Sequence, residues 1–170
     1  SDLFLSVNRN KRSIVLDLKT ADGQRAAQAL ANHADVIVEN FRPGTADRLG
    51  IGYETVCEAN PDIIYCSITG FGKDSADSSR PALDPVMQAL SGVMAVTGDQ
   101  RTGPLCAGIP VSDFITPVLA TLGIVGALFA RQRDGHGQRI DISMLNASIF
   151  SLMPRESYFL ATGKEPERLG

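Results

Sequence analysis

The stretch "GIPVSDFITP", residues 108 to 117, holds a single carboxylate, Asp113, among uncharged neighbours, and from Phe114 to Ala130 the chain carries no charge at all. Two roles suit an acid in that place. Ser112 and Asp113 are both good helix N-caps, and a carboxylate there meets the positive end of a helix dipole. The same geometry suits chemistry. A carboxylate beside apolar walls and a Gly-Ile-Pro turn can attack an activated carbonyl, with nearby backbone N–H groups steadying the oxyanion. Tight capping would blunt its nucleophilicity, so a reacting acid has to be only partly satisfied.

Two other segments bear on ligand binding. "NRNKR", residues 8 to 12, puts three cations in five residues; it fits a solvated surface or a phosphate pocket. "ENFRPGTADRLG", residues 39 to 50, follows an expected strand and opens a short helix, with Arg42 and Arg48 adding charge. A strand end that runs into a helix N-terminus is where α/β sheets take anionic ligands. No GxGxxG or Walker sequence is present, which disfavours a dinucleotide or nucleoside triphosphate.

Bulk properties narrow the class. With 170 residues, 44% hydrophobic and 21% charged, the chain reads as one soluble globular unit. A net charge of −3 gives no sign of a general affinity for nucleic acid or anionic membrane, while local basic clusters leave room for a small phosphorylated ligand. The odd set Cys57, Cys66 and Cys106 fits no metal or redox spacing and reads as reduced, partly buried thiols of a cytoplasmic protein. His33 and His136 stand apart, so no metal site is expected. The uncharged run after Asp113 contains Pro117, Gly123 and Gly126, and reads as a core helix rather than a membrane span. No secretory signal pattern is visible at the start.

The elements that would position these groups follow from periodicity and punctuation. Strands are expected at 13–18 ("SIVLDL"), from Asp35 ("DVIVEN"), from Asp62 ("DIIYCSIT") and at "QRIDIS". Helices are expected over "TADGQRAAQALANHA" with Thr20 or Asp22 as cap, near Ala46–Leu49, over "YETVCEAN" and over "DPVMQALSGVMAVTG" with Asp84 as N-cap. The longest is "SDFITPVLATLGIVGALFARQR", stopped by "DGHG"; a last helical region breaks at Pro154. Strands without alternation, spaced by helices, predict an α/β fold with a parallel sheet covered on both faces.

Five blocks in this order resemble the family III CoA-transferases, the group with formyl-CoA and carnitine CoA-transferases and α-methylacyl-CoA racemases. They are "NRNKRSIVLDLKTADG", "ADVIVENFRPGTADRLGIGYE", "NPDIIYCSITGFG", "QALSGVMAVTG" and "RDGHGQRIDISML". The resemblance implies a Rossmann-like α/β domain, part of a larger two-domain protein whose two chains interlock as a homodimer. It implies that residues 1–170 are a partial large domain, without the family's N-terminal strand and helix, its small domain and its glycine-rich loop. It maps the nucleophilic aspartate onto Asp113, which would take the acyl group of an acyl-CoA and then carry CoA as an aspartyl thioester for a carboxylic acid acceptor. CoA contacts map onto Leu16, Lys19, Asn40, Phe41, Thr45 and Arg48. Where the racemases have a histidine base, this chain has Leu83, which favours transfer over α-proton exchange. Asp84, next to it, is a candidate second acid. A racemase-like isomerase and a non-catalytic CoA-binding or dimerisation module are the alternatives.

Overall fold

The computed structural model describes residues 2–168. In chain order the elements are α1 (Asp2–Val7), α2 (Ala21–Ala31), β1 (Val36–Glu39), α3 (Thr45–Arg48), α4 (Tyr53–Ala59), β2 (Ile64–Thr69), α5 (Asp84–Ser91), α6 (Val93–Val96), α7 (Val111–Asp134), β3 (Gln138–Ser143), α8 (Met144–Phe150) and α9 (Arg155–Thr162). The sheet order is β1-β2-β3 and both pairings are parallel; Val36 stands opposite Ile64, which stands opposite Gln138.

The aliphatic run of β2 lies in the middle of the sheet because it is apolar toward both faces. On one face Ile63 and Tyr65 pack with Ala31 of α2 and Val56 of α4. On the other, Ile68 packs on a cluster of Phe71, just after β2, with Met87 of α5 and Met144 of α8. Helix–sheet–helix layering is the α/β architecture expected of strands that lack alternation.

Local chemistry sets the boundaries. The Thr20 hydroxyl accepts from the Gly23 amide at 3.1 Å and starts α2; Ser143 caps α8 in the same way through Asn146. The segment expected to be one helix after Leu83 is broken at Gly92, whose left-handed φ of 94° separates α5 from α6. Asp84 is also not the N-cap of α5: that place is Leu83, and Asp84 is the first helical residue.

"SIVLDL" is not a strand here. It runs without regular structure, and Val15 is 93% exposed, because no described strand lies beside it to complete a ladder. The thiols also differ from expectation in one case: Cys66 is buried and Cys57 half-buried, but Cys106 is exposed.

Helix α7 decides the placement of the site. Its basic end is tied to the amino edge of the sheet: the Arg131 guanidinium donates to the Asp62 carbonyl at 2.9 Å and pairs with Asp35 at 2.8 Å. Asp35 lies one residue ahead of β1 and Asp62 two residues ahead of β2, so α7 runs antiparallel to the strands and its N-terminus lies at their carboxyl edge. One face of α7, with Ser112, Thr116, Ala120 and Ala127, is buried. The opposite face shows Phe114, Val118, Leu122, Val125 and Phe129, all exposed. The helix is long and apolar enough to cross a membrane by length and composition. The core-helix expectation therefore holds for one face only among the described residues.

Candidate functional site

Asp113 sits in the first turn of α7, but it caps nothing, and neither does Ser112; both lie inside the helix. The N-cap position is Pro110, which has no side-chain cap to offer. The capping carboxylate comes from another element. Asp84 Oδ1 accepts from the Ser112 amide at 2.8 Å and from the Asp113 amide at 3.2 Å. Asp113 is thereby left with an exposed carboxylate that takes part in no hydrogen bond among the described residues. Partial desolvation of the carboxyl by the protein around it first, and the charge of Asp84 second, push its pKa above the ordinary carboxylate value. A raised pKa means a more basic carboxylate, and the side-chain cap of α7 comes from a different acid, Asp84.

Three further contacts fix this corner. The Thr116 hydroxyl donates to the Ser112 carbonyl at 2.6 Å. The buried Ser148 hydroxyl of α8 lies 2.8 Å from the Ser112 hydroxyl. The Leu145 amide at the start of α8 donates to the Gly70 carbonyl just after β2, at 2.9 Å. So β2, α8 and the N-terminus of α7 meet at the carboxyl edge, where open α/β sheets hold ligands. Pro117 has no N–H to give the Asp113 carbonyl, a local gap in the helix ladder.

The expected oxyanion donors are not the α7 amides of Ser112 and Asp113, because Asp84 occupies them. The next amide, Phe114 N–H, donates to the Pro110 carbonyl at 3.0 Å.

The six positions expected to touch CoA gather at the same edge in two groups. Asn40 follows β1 and donates from Nδ2 to the Ile68 carbonyl of β2 at 2.7 Å. The Phe41 amide donates to Glu39 Oε2 at 2.7 Å, and the Phe41 ring is exposed. The turn bends through Gly44 at φ 75°, and the Arg48 guanidinium donates to Thr45 Oγ1 at 2.8 Å. Leu16 and Lys19 precede α2, which runs back toward the amino edge, so they too lie on the carboxyl side. The Lys19 amide is held by Asp17 Oδ1 at 3.0 Å, and its side chain is exposed. No hydrogen bond or ion pair joins Asp113 to any of the six among the described residues.

Beside the β1–α3 turn lies a cavity of about 220 Å³, lined by Arg42, Gly44, Tyr53, Tyr65, Lys73 and Arg139 among others. Sequence reasoning named Arg42 alone of that set. Lys73 and Arg139 come from distant segments, and only sheet pairing of β2 with β3 brings Arg139 beside Tyr65. Burial pushes the Tyr65 phenol up to about 12 and the Cys66 thiol up to about 11, so both stay protonated near neutrality. Gln88 was also missed; its only sequence signal is the four-residue spacing from Asp84, which puts both on one face of a helix.

A sequence profile described as CoA-transferase family III matches residues 1–170. The chain is 43% identical over 172 residues to a succinyl-CoA:mesaconate CoA-transferase of Haloarcula hispanica, covering 98% of this chain and 43% of that protein. It is 39% identical over 170 residues to the succinyl-CoA:glutarate CoA-transferase of Mus musculus, covering 100% of this chain and 39% of that one. Among solved structures, a CaiB/BaiF family protein from Brucella suis superposes with a TM-score of 0.92 at 37% identity, over 96% of this chain and 43% of that chain. The chain thus spans about two fifths of the length of the relatives it matches.

Proposed function

Because this chain belongs to CoA-transferase family III, we propose that it is the part of a CoA-transferase that supplies the nucleophile, Asp113, and much of the CoA site. The whole protein moves CoA from an acyl-CoA to a small carboxylic acid. The relatives at 38–43% identity are named for succinyl-CoA, mesaconate, oxalate and glutarate, which supports a dicarboxylic acid as acceptor. The observation that carries the reading is the division of labour between the two acids: Asp84 caps α7, and Asp113 keeps an exposed carboxylate of raised pKa.

In the proposed cycle an Asp113 oxygen attacks the thioester carbonyl, the C–S bond breaks, and CoA leaves as thiolate beside a mixed anhydride. The thiolate attacks the aspartyl carbonyl and expels the first carboxylate. The acceptor carboxylate then attacks the aspartyl thioester, and the returning thiolate takes the acceptor's acyl group. Asp113 ends as a free carboxylate with no net proton change. Phosphates of CoA are met by Lys19 and Arg48, with Leu16 and Phe41 as apolar flanks for adenine. Leu83, 68% exposed, supplies no base for α-proton exchange, which argues against racemisation. The whole protein is read as a cytoplasmic homodimer; the three free thiols support the first and the exposed apolar face of α7 the second.

The test is hydroxylamine trapping during turnover of the full-length protein with succinyl-CoA and a panel of dicarboxylic acids. A hydroxamate at Asp113, located by peptide mass spectrometry, supports the reading. Full activity in Asp113→Asn, or a label on any other residue, rejects it.

A further inference from the structure

The Asp84 carboxylate does more than cap a helix. Its Oδ2 accepts from Gln88 Nε2 at 2.6 Å, one turn along α5. Gln88 is wholly buried, and Asp84 is 9% exposed. The same Gln88 amide reaches the loop ahead of α7. Nε2 also donates to the Ile109 carbonyl at 3.3 Å, and Oε1 accepts from the Ala107 amide at 2.9 Å and the Cys106 thiol at 3.3 Å. Two side chains on one face of α5 therefore hold the loop 106–109 and the first turn of α7 together. Nothing else on the described chain supplies α7 with a side-chain cap.

We propose that Asp84 and Gln88 are positioning residues for Asp113. They fix its main chain through its own amide and through the loop before it, while leaving its carboxylate free to react. The proposal rests on the reading of Asp113 as the nucleophile. Because the anchor is the backbone of the reacting residue itself, a loosened anchor displaces the attacking oxygen without touching the CoA contacts at Lys19, Asn40 or Arg48. Displacements of that kind act on the chemical step more than on binding. The negative charge of Asp84 contributes a second effect, since an anion so close disfavours the ionised form of Asp113 and makes it the stronger base.

Three variants of the full-length protein separate positioning from mere folding, assayed with succinyl-CoA and glutarate. Asp84→Ala removes cap and charge, Asp84→Asn keeps a neutral acceptor for the two amides, and Gln88→Leu cuts the link to the loop. Asp84→Ala and Gln88→Leu are expected to lower kcat by about 10- to 100-fold with KM for succinyl-CoA changed by less than about threefold, and Asp84→Asn to recover about tenfold of the loss. If Asp84→Ala fails to fold, Asp84→Asn and Gln88→Leu carry the same kcat-against-KM comparison. The proposal is overturned if kcat stays within about twofold of wild type, or if KM rises by the factor that kcat falls. Hydroxamate at Asp113 in the wild type together with unaffected variants sinks the positioning role and leaves the nucleophile standing. Absence of that hydroxamate in the wild type removes the nucleophile and the positioning role with it.

Discussion

Gly135 and Gly137 flank His136 in the turn that delivers β3 to the sheet, and they are glycines for different reasons. Gly135 ends α7 at φ 76° with open space where a Cβ would be. Gly137 has an ordinary φ, but a Cβ there would fall 2.2 Å from the Ile63 carbonyl oxygen and 2.6 Å from the Ile63 nitrogen. Ordinary non-bonded contact begins at about 3.5 Å, so a methyl at 137 would overlap backbone by about 1.3 Å. The atoms in the way belong to the backbone of Asp62 and Ile63, just ahead of β2, and the Gly137 amide is itself bonded to the Pro61 carbonyl at 3.1 Å. Neither strand can step aside without breaking the β2–β3 ladder. Gly137→Ala should therefore cost about 3 kcal/mol, the upper end for overpacking, and lower the melting temperature by several degrees. Gly135→Asn is the matched control. Asparagine enters the left-handed region readily and meets no atom there, so its cost should stay under about 1 kcal/mol. Thermal unfolding of the full-length protein, followed by circular dichroism, reads both. If Gly137→Ala melts within about 1 °C of wild type, or Gly135→Asn proves the worse of the two, close backbone approach is not what fixes β3.

Other changes test other layers. Met87→Ala empties the centre of the cluster with Phe71 and Met144 and should cost about 2–5 kcal/mol in urea denaturation. Tyr65→Phe deletes a hydroxyl that donates to the Ile51 carbonyl at 2.9 Å; an orphaned carbonyl makes the expected loss about 1–3 kcal/mol by the same measurement. Asp113 has a folded-state pKa above its ordinary 3.8, so folding disfavours its ionised form. That penalty is complete above the folded pKa and fades as pH drops toward the unfolded value; Asp113→Asn should raise the melting temperature at neutral pH and leave it unchanged in strong acid. Arg48→Ala should raise KM for the acyl-CoA by about tenfold with kcat unchanged, and the difference should shrink as salt is added.

Much of this was legible in the linear sequence because it depends on neighbours in the chain. Apolar runs marked β1 and β2, the alternating isoleucines of "QRIDIS" marked β3, Thr20 announced the start of α2, and "DGHG" the end of α7. The family was likewise readable, since its blocks are short and ordered. "SIVLDL" shows the limit: six residues of good strand character remain unpaired, because a strand needs a partner and the segment cannot supply one.

The site divides in the same way. A solitary acid at a helix start was visible in residues 108 to 117, and so was its ambiguity between cap and nucleophile. Only the fold shows that the cap is Asp84, brought from 29 positions away to accept from the Asp113 amide and from the Ser112 amide beside it, so that Asp113 itself caps nothing. The arrangement of Gln88 with the 106–109 loop and of Arg139 with Tyr53 is equally non-local. Hydrogen bonds within one turn obey sequence spacing; those between elements obey the packing of α5 against α7 and of β3 against β2, which no local pattern encodes.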